Sequence, residues 1–191
     1  MKLLPFLFNP RRLAAAGGVT LTALSLAGCA SKPEQDEPKQ QISVSLINRY
    51  TDLKRMQNDS VAVTVATATK SSTTVRDGFP ITVTELRISN VLAGKFSRAS
   101  IKVQQLGTEN VASPDTSRLM KPGKVYLLYL SENDGKRDPD HFVITGGDGI
   151  YLLQGHRYLY QGGPPAGPGK QLPAELSVDD LERRVTSQGG P

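Results

Sequence analysis

Cysteine occurs once in the 191 residues, tryptophan never, histidine twice and phenylalanine five times. A lone cysteine excludes an internal disulfide. With only His141 and His156 beside it, a zinc site of ordinary composition is excluded as well, and no other metal or cofactor is implied. The lack of tryptophan and the scarcity of phenylalanine leave no aromatic platform on which unpaired bases would stack. Long apolar runs are missing too. The uncharged run Leu13–Gly28 is rich in Gly, Ala and Thr and falls short of the ~20 apolar residues that a spanning helix needs. Acidic residues are absent from residues 1–28, which hold Lys2, Arg11 and Arg12. Beyond Gly28, twenty basic residues face eighteen acidic ones, a net charge of +2. That is too near balance for the clustered positive field of a nucleic-acid binder.

A basic start, an apolar middle and small residues at the end have the composition of a cleaved export signal. The single cysteine stands where that signal would end. Leu26-Ala27-Gly28-Cys29 resembles the lipobox of bacterial lipoproteins: an aliphatic residue, two small residues, then cysteine. The resemblance implies cleavage between Gly28 and Cys29 and a diacylglyceryl group on the Cys29 sulfur. The expected address is extracytoplasmic, with the membrane as partner through the lipid. In an envelope with two membranes, Ala30 and Ser31 lack the Asp that holds such proteins at the inner one, which implies the outer membrane. Arg11-Arg12 also fits a twin-arginine signal. Its flanks are poor for one, and export of an unfolded chain is the simpler expectation.

The expected organisation is a signal over 1–28, a lipidated cysteine and flexible tether over 29–41, and a helix plus β-barrel domain over 42–160. A Pro/Gly linker (161–173) and a C-terminal helix and tail (174–191) complete it. Residues 30–41 carry no large apolar side chain and mix Lys, Glu, Asp and Pro, which suits a tether. "GPGK" within the linker is no phosphate loop, because Pro164 stands five places before Gly169 and Gln171 replaces the metal-binding Ser or Thr.

Between these segments the dominant period is two. "SVAVTVATAT" from Ser60 reads as a strand with its valines inward. "ITVTELRISNVL" starts with Ile81 and Val83 inward, then changes parity to Leu86 and Ile88, which predicts a bulge near Glu85. "KVYLLYL" (124–130) is apolar throughout and reads as a central strand covered on both sides. "FVITGGDGIYLL" reads as a hairpin on Gly146–Gly149, and "LLQGHRYLY" as a hairpin on Gly155-His156. "SLINRYTDLKRMQ" puts Leu46, Tyr50, Leu53 and Met56 on one face of a helix before the first strand. Ser177 caps a second helix carrying Asp179 and Asp180 in its first turn. The fold class is mainly β, a small OB-like barrel or sandwich with a helix at each end.

The stretch Ile81–Leu130 resembles a small β-barrel domain of exported bacterial proteins, and more distantly the OB-like barrel of netrin-type and metalloproteinase-inhibitor domains. Val91-Leu92-Ala93-Gly94, Gly107 and Pro122-Gly123-Lys124-Val125-Tyr126-Leu127-Leu128 carry the likeness. The inhibitors' disulfide cysteines are missing, so their activity is not implied.

Glu132, Asp134, Asp138 and Asp140 gather in one segment but lack the spacing and terminal Glu of a calcium loop, and Lys136 and Arg137 interrupt them. A polar hairpin tip accounts for them. No nucleophile elbow or other hydrolase motif occurs. The expected role is therefore a binding or structural module of the cell envelope and not an enzyme, with an envelope hydrolase as the alternative. Lys95, Arg98 and Lys102, with Arg87 near by, are candidate contacts for anionic headgroups or wall polymers.

Overall fold

The computed structural model describes residues 40–41, 49–94, 97–112, 116–133, 141–164 and 171–181. Gly28 and Cys29, and with them the expected signal and most of the tether, lie outside the described residues, as do Leu46 and Lys95.

In chain order the elements are β1 (Gln40–Gln41), α1 (Leu53–Asn58), β2 (Ala62–Arg76), β3 (Phe79–Ala93), β4 (Ser100–Leu106) and β5 (Val111–Ala112). They continue with β6 (Val125–Glu132), β7 (His141–Ile144), β8 (Ile150–Gln154), β9 (Arg157–Tyr160) and β10 (Glu175–Ser177). The architecture is mainly β, as composition and period predict. Among the described residues the helical parts are short: α1 has six residues, and 178–181 make one turn. Asp52 starts α1, its Oδ1 accepting from the Arg55 amide at 3.0 Å.

Eight strands form one sheet, in the order β10-β9-β8-β6-β2-β3-β4-β7, and a further pairing joins β7 back to β6. β2, β3, β4, β7 and β6 thus form a closed ring of pairings. The β4–β7 pair is parallel and the others are antiparallel. β8, β9 and β10 extend the sheet outward from β6.

Two apolar cores follow from this layout. One is enclosed by the ring: Ala66 and Ala68 of β2, Leu86 of β3, Ile101 and Val103 of β4, Leu128 and Leu130 of β6, Phe142 and Ile144 of β7. Small residues on β2 leave room for larger ones opposite. The other lies on the opposite side of β2, β6 and β8, where Val63, Leu127, Tyr129 and Tyr151 are covered by Tyr50, Leu53 and Met56 from the α1 region. Leu172, Leu176 and Leu181 from beyond β9 complete it. β6 is buried on both sides, as its uninterrupted apolar sequence predicts.

Four expectations about the strands need correction. On β2 the fully buried residues are Ala62, Thr64, Ala66 and Ala68, whereas of the valines only Val63 is buried, Val65 being half-buried and Val61, just before the strand, exposed. Between Ile81 and Ile88 β3 has no change of parity: Thr82, Thr84 and Leu86 all turn inward, while Ile81 and Val83 are only half-buried. Hydrogen bonds explain the inward threonines. The Thr82 hydroxyl donates to the Gly107 carbonyl at 2.7 Å, and Thr84 shares a 3.1 Å bond with the Ser71 hydroxyl. The bulge does fall beside Glu85, but the extra residue is Thr69 of β2, between the pairs Ala68–Leu86 and Lys70–Glu85. Finally, Gly146–Gly149 is no hairpin. β7 and β8 do not pair with each other; both run antiparallel to β6, with Leu130 opposite Ile144 and Leu128 opposite Ile150. The intervening residues, which include a 3-10 turn at Thr145–Gly147, break one long strand.

Gly94, which ends the Val91–Gly94 run, has φ +88°, and a Cβ there would stand 2.2 Å from the Val61 carbonyl oxygen. One end of the ring is closed by residues 117–121. Buried Gln105 accepts from the Met120 amide at 2.9 Å and donates to Ser117 and to the Arg118 carbonyl, while Tyr126 accepts from the Lys121 amide.

Leu128→Asp would place an unpaired carboxylate inside the ring, at a position with no solvent exposure. The expected loss is several kcal/mol, enough to remove most of the stability of a single domain. Urea denaturation of wild type and variant measures it; an unchanged midpoint would show that this core does not hold the fold.

Candidate functional site

The outer side of β3, β4 and β7 is where the strand registers bring the chemistry-bearing residues together. Opposite one another on β3 and β4 stand Ile81 and Leu106, Val83 and Gln104, Glu85 and Lys102, Arg87 and Ser100. β7 adds His141 beside Lys102 and Val143 beside Gln104. The surface is divided. Toward the β2–β3 turn it is apolar, with Ile81, Val83, Leu106 and Val143 half-buried; toward the other end it carries exposed Glu85, Arg87 and Lys102. The Arg76 guanidinium donates to Gln104 Oε1 at 2.9 Å and lies across the boundary.

Of the three cations expected to meet an anionic surface, Lys102 lies in this charged half, directly across from Glu85, so opposite charges alternate there. Arg98 is exposed and has other surroundings: its guanidinium carbon lies 5.7 Å from the centroid of the Phe142 ring, a residue of the ring core. Lys95 lies outside the described residues, as do Asp134, Asp138 and Asp140. Among the described residues no group of three or more His, Cys, Asp or Glu is placed to hold a metal ion. His156 is exposed on the two-residue turn between β8 and β9, where Gly155 supplies a φ of +60°.

One buried charge was not singled out by sequence reasoning. Asp148, in the break between β7 and β8, is 2% exposed. It accepts from the Tyr160 hydroxyl at 2.9 Å, and the Arg49 guanidinium is 3.7 Å away. Backbone amides of Tyr50 and Gly163 also donate to it. Burial raises its pKa above the ordinary 3.8, and these partners hold it down in part, Tyr160 foremost and then Arg49. Around it, Tyr151 packs edge-on against Tyr160 with ring centroids 5.4 Å apart, and burial raises the pKa of both phenols. A carboxylate so enclosed is out of a solute's reach. Its chemistry is that of a clasp, holding the chain before α1 and the chain after β9 against the sheet. An Asp between glycines was the available signal, but the pattern is shared with any turn.

A comparison of the chain with protein-family models gives no match, and a comparison with curated proteins gives none. The two-character face of β3–β4–β7 thus offers apolar area, both signs of charge and the Gln104 amide.

Two predictions concern the clasp. Because the folded-state pKa of Asp148 is raised, the folded protein holds this proton more tightly than the unfolded chain does. The corresponding contribution is complete below the ordinary value of 3.8 and is lost as pH rises through the folded value. Asp148→Asn abolishes this titration, so urea midpoints should improve for the variant relative to wild type as pH rises above 3.8. A difference that stays constant with pH would refute the assignment.

The Tyr151 hydroxyl is buried without a hydrogen-bond partner among the described residues, whereas that of Tyr160 serves Asp148. Tyr151→Phe should therefore be neutral or stabilising by up to about 1 kcal/mol, and Tyr160→Phe should cost about 1–3 kcal/mol. Thermal melts of the two variants distinguish the roles.

Proposed function

We propose that the chain is a lipid-anchored, extracytoplasmic lipoprotein whose body is an OB-like barrel serving as a binding or structural module of the cell envelope. The observation that carries this reading is Leu26-Ala27-Gly28-Cys29, which puts the only cysteine between an uncharged run and a polar, Pro-containing one. The lipid on Cys29 would hold the protein to the membrane, since two acyl chains anchor where one binds only reversibly.

Support for the OB-like part comes from the pairing order. A five-membered ring β2-β3-β4-β7-β6, with one parallel pair joining its third and fifth strands in sequence, is compatible with a five-stranded Greek-key barrel. In that correspondence the second and third strands are β3 and β4, which carry the divided face, and in OB-folds this is the face that takes oligosaccharides and oligonucleotides. The near-neutral body disfavours nucleic acid. A wall polymer or an envelope protein is the partner class we propose, on fold-level analogy.

Cys29→Ser removes the sulfur that takes the lipid. The variant should leave the membrane fraction or persist with its signal uncleaved, and wild-type protein should carry a diacylglyceryl mass on its N-terminal cysteine. An unmodified Cys29 in the mature protein, measured by mass spectrometry, would end the lipoprotein reading.

A further inference from the structure

Only three large hydrophobic side chains are strongly exposed among the described residues: Val61, Val75 and Phe79, and the last two sit together at 72% and 46% exposure. They flank the turn between β2 and β3. Asp77 and Gly78 form that turn with φ of 50° and 81°, the backbone of a tight two-residue hairpin. Beyond Thr67, the last residue paired with β6, β2 continues to Arg76 with β3 as its paired strand. β3 stays paired with β4 as far as Ile81, so it is the hairpin end around residues 75–80 that extends past the other strands.

Register shows which way the tip residues face. Arg76 is opposite Phe79 and Val75 is opposite Pro80. Adjacent pairs point to opposite sides of a ribbon, so Phe79 is presented on one side and Val75 on the other. A flat protein surface would cover one of them. A fluid interface that surrounds the tip covers both.

The entry point of the N-terminal chain says which interface is near. Gln40 pairs with Val111. Val111 bonds to Thr108, and the neighbouring Gly107 donates to the Pro80 carbonyl at 2.8 Å while accepting from Thr82. The end of the tether is thus joined to the base of the hairpin tip through a few hydrogen-bonded steps of about 5 Å each. Eleven residue steps separate Gln40 from Cys29, at most about 40 Å of chain.

Resting on the lipoprotein reading above, we infer that the β2–β3 tip is a second membrane contact: Val75 and Phe79 enter the headgroup–acyl boundary while Arg76 stays among the headgroups. Arg76 favours an anionic leaflet, and Asp77 at the turn limits the tip to shallow insertion. Two contacts on one body restrict its tumbling, which would turn the β3–β4–β7 face to a fixed direction relative to the membrane.

Because the chain has no tryptophan, one introduced residue is a unique fluorophore. Phe79→Trp and Val75→Trp are made in the full-length lipidated protein, with His156→Trp on the β8–β9 turn as the comparison, and reconstituted on vesicles of phosphatidylcholine and phosphatidylglycerol. Both tip variants should show blue-shifted emission and quenching by lipids brominated near the headgroup, with His156→Trp unaffected. Quenching of neither tip residue in protein that floats with the vesicles would overturn the inference and leave the anchor standing. Quenching of one alone, or a shift that grows with protein concentration without lipid, would point to a protein partner or a second copy and would equally overturn it. Protein that fails to float and whose Cys29 mass is unmodified would refute the anchor, and the tip contact would fall with it.

Discussion

Strand β6 must pair along one edge with two different strands, and the four-residue break at Thr145–Asp148 is what permits it. Leu130 pairs with Ile144 and Leu128 with Ile150, so the chain leaves register by four residues between them. On one side of the break β7 turns toward β4 and completes the ring; on the other β8 opens outward into a sheet with β9 and β10. Two positive-φ glycines, Gly146 and Gly147, make the change of direction possible. Gly149 then passes so close to Tyr129 that a Cβ there would stand 2.6 Å from the tyrosine's own Cβ. Both apolar cores depend on this arrangement, because β6 contributes alternate residues to each.

The break also places a carboxylate in the second core. An ionised group at 2% exposure is tolerable only with partners, and Asp148 gathers them from Arg49 and Tyr50 before α1, from Tyr160 at the end of β9 and from Gly163 beyond it. The polar network thereby specifies where the chain's N-terminal and C-terminal approaches lie on the sheet. Its stabilisation is local, while the ring core relies on burial, at about 1.5–3 kcal/mol for each fully buried large aliphatic side chain. This division frees the β3–β4–β7 face and the β2–β3 tip from structural duty.

Much of the body was legible because its signals are local. β6 is apolar at successive positions and is buried on both sides. Gly155-His156 joins two short strands as a two-residue turn should. Leu53 and Met56 recur at helical spacing and are buried on one side of α1, but the helix starts only at Leu53, so Tyr50 reaches the same core from the non-helical chain before it. The misreadings share a cause. Inward Thr82 and Thr84 were passed over in favour of Ile81 and Val83, since hydrophobicity alone cannot register that Gly107 and Ser71 will satisfy two hydroxyls. The Asp77-Gly78 turn carries one of the strongest local hairpin signals, but the polar run before it hides that β2 extends to Arg76 and that β3 begins at Phe79, ahead of Ile81.

By itself the sequence determined the β class, the central strand, the tight turn before β9 and the chemical singularity of Cys29, because each depends on residues close together in the chain. Tertiary structure alone decided that a glycine run is a break and not a hairpin, that Asp148 is a clasp, and that Gln40 is linked through Val111 and Gly107 to the base of the apolar hairpin tip. Each of these turns on partners between about ten and a hundred residues away, on strands whose pairing no local pattern encodes. Sequence periodicity says which way a side chain alternates; only the closed ring says what stands opposite it.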